Sequence, residues 1–310
     1  MKVMVLKLML LIICFCPAYV IAAPLFQEDF ENTNYSSRGW YDSNGGTLSA
    51  IEHISGSTNS FECKFLQGGT VCSGGTLGRH LFTETDSVYV SYYVKYSSNW
   101  QGSNKPYHPH EFMILTNLDG QYQGPSRSHL TTYIEQNEGT PRLQITDALN
   151  IDVTQVGQDI VNLTEQRGVS GCNGDSDGYG PGACWVCGSN RCNEKVWLAP
   201  SVFFQDTQGA YYKNDWHHIE AYFKLNSIFN SKGVADGVMQ YWYDGNLIIN
   251  HNNVMLRTGQ YPLMKFNQFI VAPWIGDGSP IEQIMWIDNL TVMTSRPDAG
   301  PAPPTNLQVQ

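Results

Sequence analysis

The chain has 310 residues, of which 15% are charged and 12% aromatic, and its formal net charge is −10. This acidic balance excludes a general nucleic-acid-binding role and disfavours non-specific capture of polyanions, although it is compatible with a local basic cleft. The length suits one large domain.

The N-terminal segment 1–22 has the pattern of a secretory signal peptide. Met1-Lys2 precede an apolar run, and the small residues Ala22-Ala23 follow it. The run is shorter than the roughly 20 residues that a spanning helix needs, which argues against a membrane anchor. We therefore expect cleavage after Ala22, a secreted protein in the extracellular space or the periplasm, no membrane attachment after cleavage, and a monomer.

Six cysteines follow the signal segment, and an even number predicts disulfides in an oxidising compartment. Cys63 and Cys72 flank a short Gly-rich turn and are expected to pair with each other. The other four are close in sequence and allow three connectivities, which stay open: they are Cys172, Cys184, Cys187 and Cys192. Their spacing is also compatible with a zinc site, but export favours disulfides.

Alternation of apolar and polar residues predicts β-strands along most of the chain. Between Val88 and Tyr96, every second residue from Val88 is apolar or aromatic, while Ser91 and Lys95 fall on the other face. Long amphipathic helical patterns are hard to find, so the composition is typical of an all-β protein. Further predicted strands are His110–Thr116, His129–Glu135, Arg142–Thr146, His217–Lys224, Val238–Tyr243, Phe266–Ala272 and Met285–Val292.

Turn signals separate these segments. Asp244-Gly245 is the clearest, because a two-residue hairpin of the primed type needs positive φ angles at its centre. Asp119-Gly120 and Asp236-Gly237 are expected to act likewise. Many strands joined by short turns, with no βαβ rhythm, predict an all-β fold in which two antiparallel sheets pack as a sandwich.

Two segments depart from the strand pattern. Residues 150–200 are rich in Gly, Asp and Cys, which predicts a long loop clasped by disulfides. Residues 295–310 are rich in proline and predict an extended tail. The expected organisation is a signal peptide at 1–22, one sandwich domain at 23–294 and the tail at 295–310.

The loop contains half of a calcium-binding pattern. Asn173, Asp175 and Asp177 place oxygen donors at alternate positions ahead of Gly178, where a calcium loop makes its turn. Cys184 stands where an EF-hand has its glutamate, so this is not an EF-hand. Structural Ca²⁺ is therefore a candidate ligand, a simple acidic turn is the alternative, and no cofactor is expected to be required.

Three segments carry a family resemblance: Asp215–Glu220 (DWHHIE), Asp236–Gly245 (DGVMQYWYDG) and Met285–Val292 (MWIDNLTV). Together they resemble the C-terminal half of the concanavalin A-like lectin/glucanase jelly rolls, and within that superfamily they look most like heparin-lyase-like and other polysaccharide lyase domains. The likeness covers residues 25–293. The paired-carboxylate strand of the glucanase branch and the strand motifs of the alginate lyase branch are absent from the sequence. The resemblance implies a sugar-handling jelly roll and leaves catalysis open.

Two predicted strands have polar faces suited to line a groove. One face carries His129 and Tyr133, and the other carries His218, Tyr222 and Lys224. The alternate residues of each strand belong in the core. If both strands lie in the same sheet, these side chains converge on one sugar unit.

A polysaccharide lyase needs a base for the C5 proton, an acid for the leaving oxygen and a group that binds the uronate carboxylate. The residues expected in these roles are His129, Tyr133, His218 and Tyr222 as acid or base, and Arg127 and Lys224 for the carboxylate. The alternative for each is a polar position on a solvated sheet face.

His108 and His110 form another dense cluster, with Glu111 on the opposite side of the strand. His-x-His can chelate a metal, but spacing identifies no third ligand, so we predict that His110 is a groove residue that binds substrate. Trp242 and Trp274 are candidate platforms for sugar stacking, with core packing as the alternative.

These features predict an extracellular polysaccharide as the partner. The expected reaction is eliminative cleavage of a uronate-containing glycan. The alternatives are a non-catalytic glycan-binding module and a structural or adhesive cell-surface domain.

Overall fold

The computed structural model describes residues 23–43, 45–104, 110–121, 130–147, 186–187, 190–191, 193–257, 259 and 261–297. Within these ranges the chain forms nineteen strands and one 3-10 helix, Tyr35–Arg38. The strands are β1 Phe26–Glu28, β2 Trp40–Tyr41, β3 Thr47–Ser49, β4 Ser60–Phe65, β5 Gly78–Thr85, β6 Ser87–Tyr96, β7 His110–Thr116, β8 Thr131–Asn137, β9 Thr140–Asp147, β10 Val186–Cys187, β11 Asn190–Arg191, β12 Asn193–Leu198, β13 His217–Lys224, β14 Ile228–Phe229, β15 Lys232–Gly233, β16 Gly237–Tyr243, β17 Asn246–Val254, β18 Phe266–Trp274 and β19 Gln283–Met293.

Two large antiparallel sheets contain most of these strands. The eight-stranded sheet has the order β17-β16-β13-β6-β19-β4-β3, with β1 paired to β19. The seven-stranded sheet has the order β12-β9-β8-β7-β18-β5-β2. Neighbours in both sheets are often distant in sequence, as in β6 beside β19 and β7 beside β18. The predicted all-β, two-sheet antiparallel sandwich is confirmed.

The core lies between the two sheets and is built by the period of two in each strand. Val88, Val90 and Tyr92 of β6 are at most 1% exposed, as the alternation predicts. Tyr92 reaches across to the seven-stranded sheet, where its ring centroid lies 4.4 Å from that of Phe112. Burying side chains of this size contributes about 1.5–3 kcal/mol each, so this face fixes the strand register.

All eight predicted segments are strands. His110–Thr116 and His217–Lys224 have the predicted bounds, whereas the segment predicted from His129 begins at Thr131 and continues to Asn137. Strand β17 was not predicted, because five of its nine residues are polar and only Ile249 and Val254 are buried. It forms at the sheet edge as the hairpin partner of β16.

The β16–β17 hairpin turns at Asp244-Gly245, whose φ angles are 47° and 77°, so this predicted turn is confirmed. Glu138-Gly139 makes a turn of the same kind between β8 and β9, with φ angles of 48° and 77°. The predictions of hairpins at Asp119-Gly120 and Asp236-Gly237 are wrong. The Asp119 carboxylate accepts hydrogen bonds within its own turn, and that of Asp236 holds Ser227.

Cys63 and Cys72 form the predicted disulfide between β4 and the following loop. The side chains of the other four cysteines, Cys172, Cys184, Cys187 and Cys192, lie outside the described residues, so their pairing stays a prediction. No helix in the described ranges is long and apolar enough to cross a membrane.

Candidate active site

The outward face of the seven-stranded sheet, which looks away from the core, carries a second small cluster of buried side chains. Met113 and Leu115 of β7, Tyr133 of β8 and Ile270 of β18 pack together there, separately from the main core. Register explains the grouping, since Tyr133 faces Met113 across one strand pair and Ile270 faces Met113 across the next. These strands therefore present a continuous surface.

Strand β8 divides its side chains between core and outward face as predicted. Leu130, just before the strand, and Ile134 within it belong to the main core, whereas Tyr133 belongs to the outward cluster. Tyr133 is 3% exposed, so the outward face is covered rather than open to solvent at this point. A tyrosine placed in this way packs its ring and needs a polar partner for its hydroxyl.

At the edge of this cluster, the ring of His110 stacks on the rings of Tyr133 and Trp274. The His110 ring centroid lies 4.7 Å from that of Tyr133, and the two planes make an angle of 26°. On β18, Trp274 lies 5.9 Å from His110 with an angle of 8°. A cavity of about 320 Å³ opens beside the three rings and is also lined by Val71 and Ala272. His110 therefore lines this cavity, and its predicted contact with substrate stays a prediction.

A buried ion-pair network holds His110 from behind. Nδ1 of His110 lies 2.7 Å from Oε2 of Glu135, and Nε of Arg142 donates to Oε1 of the same carboxylate at 2.8 Å. The Glu135 side chain is fully buried, so the Arg142 charge favours its carboxylate form. A carboxylate only accepts hydrogen bonds, so Nδ1 of His110 donates to Glu135, and in the neutral imidazole the lone pair is then on Nε2.

Glu111 points the other way, into the core, as predicted. The hydroxyl of Tyr96, on the opposite sheet, donates to its Oε1 at 2.6 Å. Burial, together with the nearby Glu135 charge, raises the pKa of Glu111 to about 8 despite the lowering effect of that hydrogen bond. Glu111 is therefore protonated at neutral pH and links the two sheets without facing the cavity.

The predicted convergence of the two polar strands is wrong. Tyr133 lies in the seven-stranded sheet, whereas His218, Tyr222 and Lys224 lie on β13 in the eight-stranded sheet. These three side chains lie on the outward face of β13, because the residues that alternate with them, Ile219, Ala221 and Phe223, are buried in the core. The core therefore separates the two groups.

On the outward face of the eight-stranded sheet, Glu220 is the centre of a satisfied network. The Arg296 guanidinium donates to both carboxylate oxygens at 2.8 and 3.0 Å, and the Tyr89 hydroxyl donates at 2.6 Å. Burial opposes ionisation, but these donors hold the pKa of Glu220 below its ordinary value. His218 is hydrogen-bonded to Ser91, and burial lowers its pKa.

Trp242 is not an open platform for a sugar ring. It is 8% exposed, and the Arg296 guanidinium carbon lies 4.9 Å from its ring centroid. The same arginine is held by Glu220, so the cation covers the indole face firmly. The prediction of substrate stacking on Trp242 is wrong for this reason, whereas Trp274 lines the cavity described above.

The remaining predicted site residues lie outside the part of the chain that the structure describes: Arg127, His129, Asn173, Asp175 and Asp177, together with His108 of the candidate metal pair. Their roles stay predictions. In the described ranges, no group of three or more His, Cys, Asp or Glu side chains is placed to hold a metal ion.

Sequence reasoning missed the roles of Glu135 and Arg142. A signal for them existed, because the two-residue turn at Glu138-Gly139 fixes a register in which Glu135 faces Arg142 directly. Opposite charges at facing positions of neighbouring strands are a favourable cross-strand pair.

No protein-family model matches the sequence, and no curated protein matches it significantly. Among solved structures, an alginate lyase from a Chlorella virus is similar, with a TM-score of 0.55 and 15% identity over 88% of this chain and 100% of that chain. A marine alginate lyase from Aplysia kurodai has a TM-score of 0.52 and 12% identity over 88% of this chain and 100% of that chain. These similarities show that the chain shares its two-sheet β-sandwich fold with the two proteins.

Proposed function

We propose that the protein cleaves a uronate-containing polysaccharide by β-elimination on the outward face of the seven-stranded sheet. The observation that carries this proposal is the stacked pair of His110 and Tyr133 beside a cavity, with Glu135 fixing the imidazole from behind. A base and a hydroxyl acid side by side are the two groups that elimination requires.

In the proposed reaction, Nε2 of His110 removes the proton from C5 of the uronate. The electron pair forms the C4–C5 double bond as the bond from C4 to the glycosidic oxygen breaks. The Tyr133 hydroxyl gives its proton to that leaving oxygen. Solvent then takes the proton from His110 and returns a proton to the Tyr133 oxygen, so no oxidant or other co-reactant is needed. Arg127, whose position is not described, stays our prediction for the group that binds the carboxylate.

The cavity lining fits a sugar ring as well as the reaction. Trp274 presents an aromatic side chain, and Val71, Met113 and Ala272 supply apolar surface around the polar pair. Pyranose rings have apolar faces that pack on aromatic side chains, while a few polar groups fix their orientation. The two solved structures of similar fold are alginate lyases, which makes polyuronates the first substrates to test.

The test is a panel of polymannuronate, polyguluronate, polyglucuronate and polygalacturonate incubated with the protein. Elimination creates a double bond conjugated with the carboxyl group, so the products absorb in the ultraviolet and have the mass of the parent fragment less one water. Products that contain added water instead would show hydrolysis and contradict the proposal. Binding without any product would favour the alternative, a glycan-binding module. If the protein is secreted, the same assay should also detect these products when it is applied to the culture medium of cells that produce the protein.

A further inference from the structure

A second cavity, of about 700 Å³, lies at one end of the sandwich. It is more than twice the volume of the cavity beside His110 and Tyr133. Three segments line it: the loop that follows β6, from Ser98 to Asn104, the β8–β9 turn at Glu138-Gly139, and the stretch from Val202 to Lys213 that precedes β13. Volumes of this size accommodate small molecules the size of a few sugar units.

Hydrogen bonds tie the three segments together, so the cavity is a built feature of the fold. The backbone N–H groups of Phe203 and Phe204 both donate to the Gly139 carbonyl at 2.9 Å. Nζ of Lys213 donates to the Trp100 carbonyl at 2.6 Å. A Cβ on Gly139 would lie 2.3 Å from the Phe204 carbonyl oxygen, and its φ angle is 77°, so this close approach requires glycine.

The lining is rich in uncharged hydrogen-bonding side chains. Its amides and hydroxyls can both donate and accept, which matches the vicinal hydroxyls of a sugar. They belong to Ser98, Asn99, Gln101, Asn104, Gln205 and Thr207. Trp100 also lines the cavity and is only 6% exposed.

The charges at the cavity disfavour an anion. Among the residues that line the cavity, Lys213 is the positively charged one, and its ammonium group is already paired with the Asp206 carboxylate. Glu138 adds a second carboxylate, for which no ion pair exists in the described part of the chain. The local balance is therefore negative, and a uronate would meet repulsion here that a neutral sugar would not.

We propose that this cavity is a second carbohydrate-binding site, which takes neutral sugar units and is separate from the His110–Tyr133 site. The inference rests on the cavity and its lining and does not require the proposed lyase activity. The protein would then bind glycans at two sites, one that takes charged uronate units and one that takes neutral sugar units.

Calorimetric titration of the full chain with cellotriose, mannotriose and laminaritriose, and with trigalacturonate at low salt, tests the proposal. At least one neutral trisaccharide should bind, and loss of a hydrogen-bonding side chain from the lining should weaken that binding. Gln101→Ala, at an exposed side chain, should weaken it about threefold. Gln240→Ala, on the outward face of the eight-stranded sheet, is the control and should leave it unchanged.

Two results would overturn the proposal. One is that none of the three neutral trisaccharides binds. The other is that they bind equally well to the wild type and to Gln101→Ala. Cleavage of polyuronates by Gln101→Ala should equal that of the wild type, so a missing lyase activity and a missing second site give different results.

Discussion

Nδ1 of His110 lies 2.7 Å from Oε2 of Glu135, and both side chains lie in the outward layer of the seven-stranded sheet. Because Arg142 holds the other oxygen of the carboxylate, Glu135 faces His110 in a fixed orientation. This relationship decides which imidazole nitrogen accepts a proton, and it makes Glu135 a positioning residue for the proposed base.

Glu135→Gln should reduce turnover of a polyuronate by about a hundredfold or more, the usual contribution of a positioned base. The amide would donate to Nδ1, so the neutral imidazole of His110 would carry its proton on Nε2 and lose its basic nitrogen there. Stability should also fall, by about 3–5 kcal/mol, because Arg142 would keep a buried charge without its counter-charge. Nitrogen chemical shifts of His110 report the tautomer directly. A destabilised variant with an unchanged tautomer and unchanged turnover would leave Glu135 with a structural role only.

Tyr133→Phe should reduce turnover by about a hundredfold while the melting temperature changes little. The substitution keeps the ring stacked on His110, at 4.7 Å between centroids, and removes only the hydroxyl. Tyr222→Phe and His218→Ala are the matched controls on the other sheet and should retain wild-type turnover. Loss of activity in the Tyr222 variant would place the reaction on the eight-stranded sheet instead.

The strands were predictable from sequence because alternation is a local property. His217–Lys224 places Ile219, Ala221 and Phe223 on its core face, whereas His110–Thr116 is buried throughout and is marked by its short apolar run. Strand β17 was not predictable in the same way, since its place depends on the Asp244-Gly245 hairpin and on pairing with β16 rather than on its own composition.

The composition of the site was only partly predictable, because alternation assigns a face but not a sheet. Tyr133 and Tyr222 have equivalent positions in their strand patterns, yet β8 pairs with β7 and β9 whereas β13 pairs with β6 and β16. The pairing of β13 with β6 joins segments that are far apart in sequence, so it cannot be read from a local pattern. The stack of His110 on Trp274 depends in the same way on the pairing of β7 with β18.

Arg296→Ala should lower the free energy of unfolding by about 1–3 kcal/mol, measured by urea denaturation. The buried Glu220 carboxylate would lose two of its donors and keep the Tyr89 hydroxyl, and Trp242 would lose its covering cation. Lys64→Ala breaks an exposed ion pair with Glu282 and is the control, with an expected effect of less than about 1 kcal/mol. Equal effects of the two substitutions would show that the Arg296 network contributes no more than a surface pair.

The last prediction concerns Glu111, the carboxyl buried between the sheets. Its ordinary pKa is near 4.5, and burial raises the pKa in the folded protein to about 8. Below pH 4.5 both the folded and the unfolded chain carry the proton. Between pH 4.5 and 8 the unfolded chain loses it while the folded protein keeps it, so this group makes the free energy of unfolding fall as pH rises. The slope from one such group is at most about 1.4 kcal/mol per pH unit.

Glu111→Gln removes the proton exchange but keeps a carbonyl oxygen that can accept from the Tyr96 hydroxyl. Urea unfolding between pH 5 and 8 should therefore show a shallower loss of stability in the variant than in the wild type. Glu282→Gln changes an exposed carboxyl and should leave the wild-type slope intact. If the Glu111 variant keeps the wild-type slope as well, then Glu111 is already ionised in the folded core. Its hydrogen bond with Tyr96 would then hold a carboxylate rather than a neutral acid, and the two sheets would be joined by a buried charge.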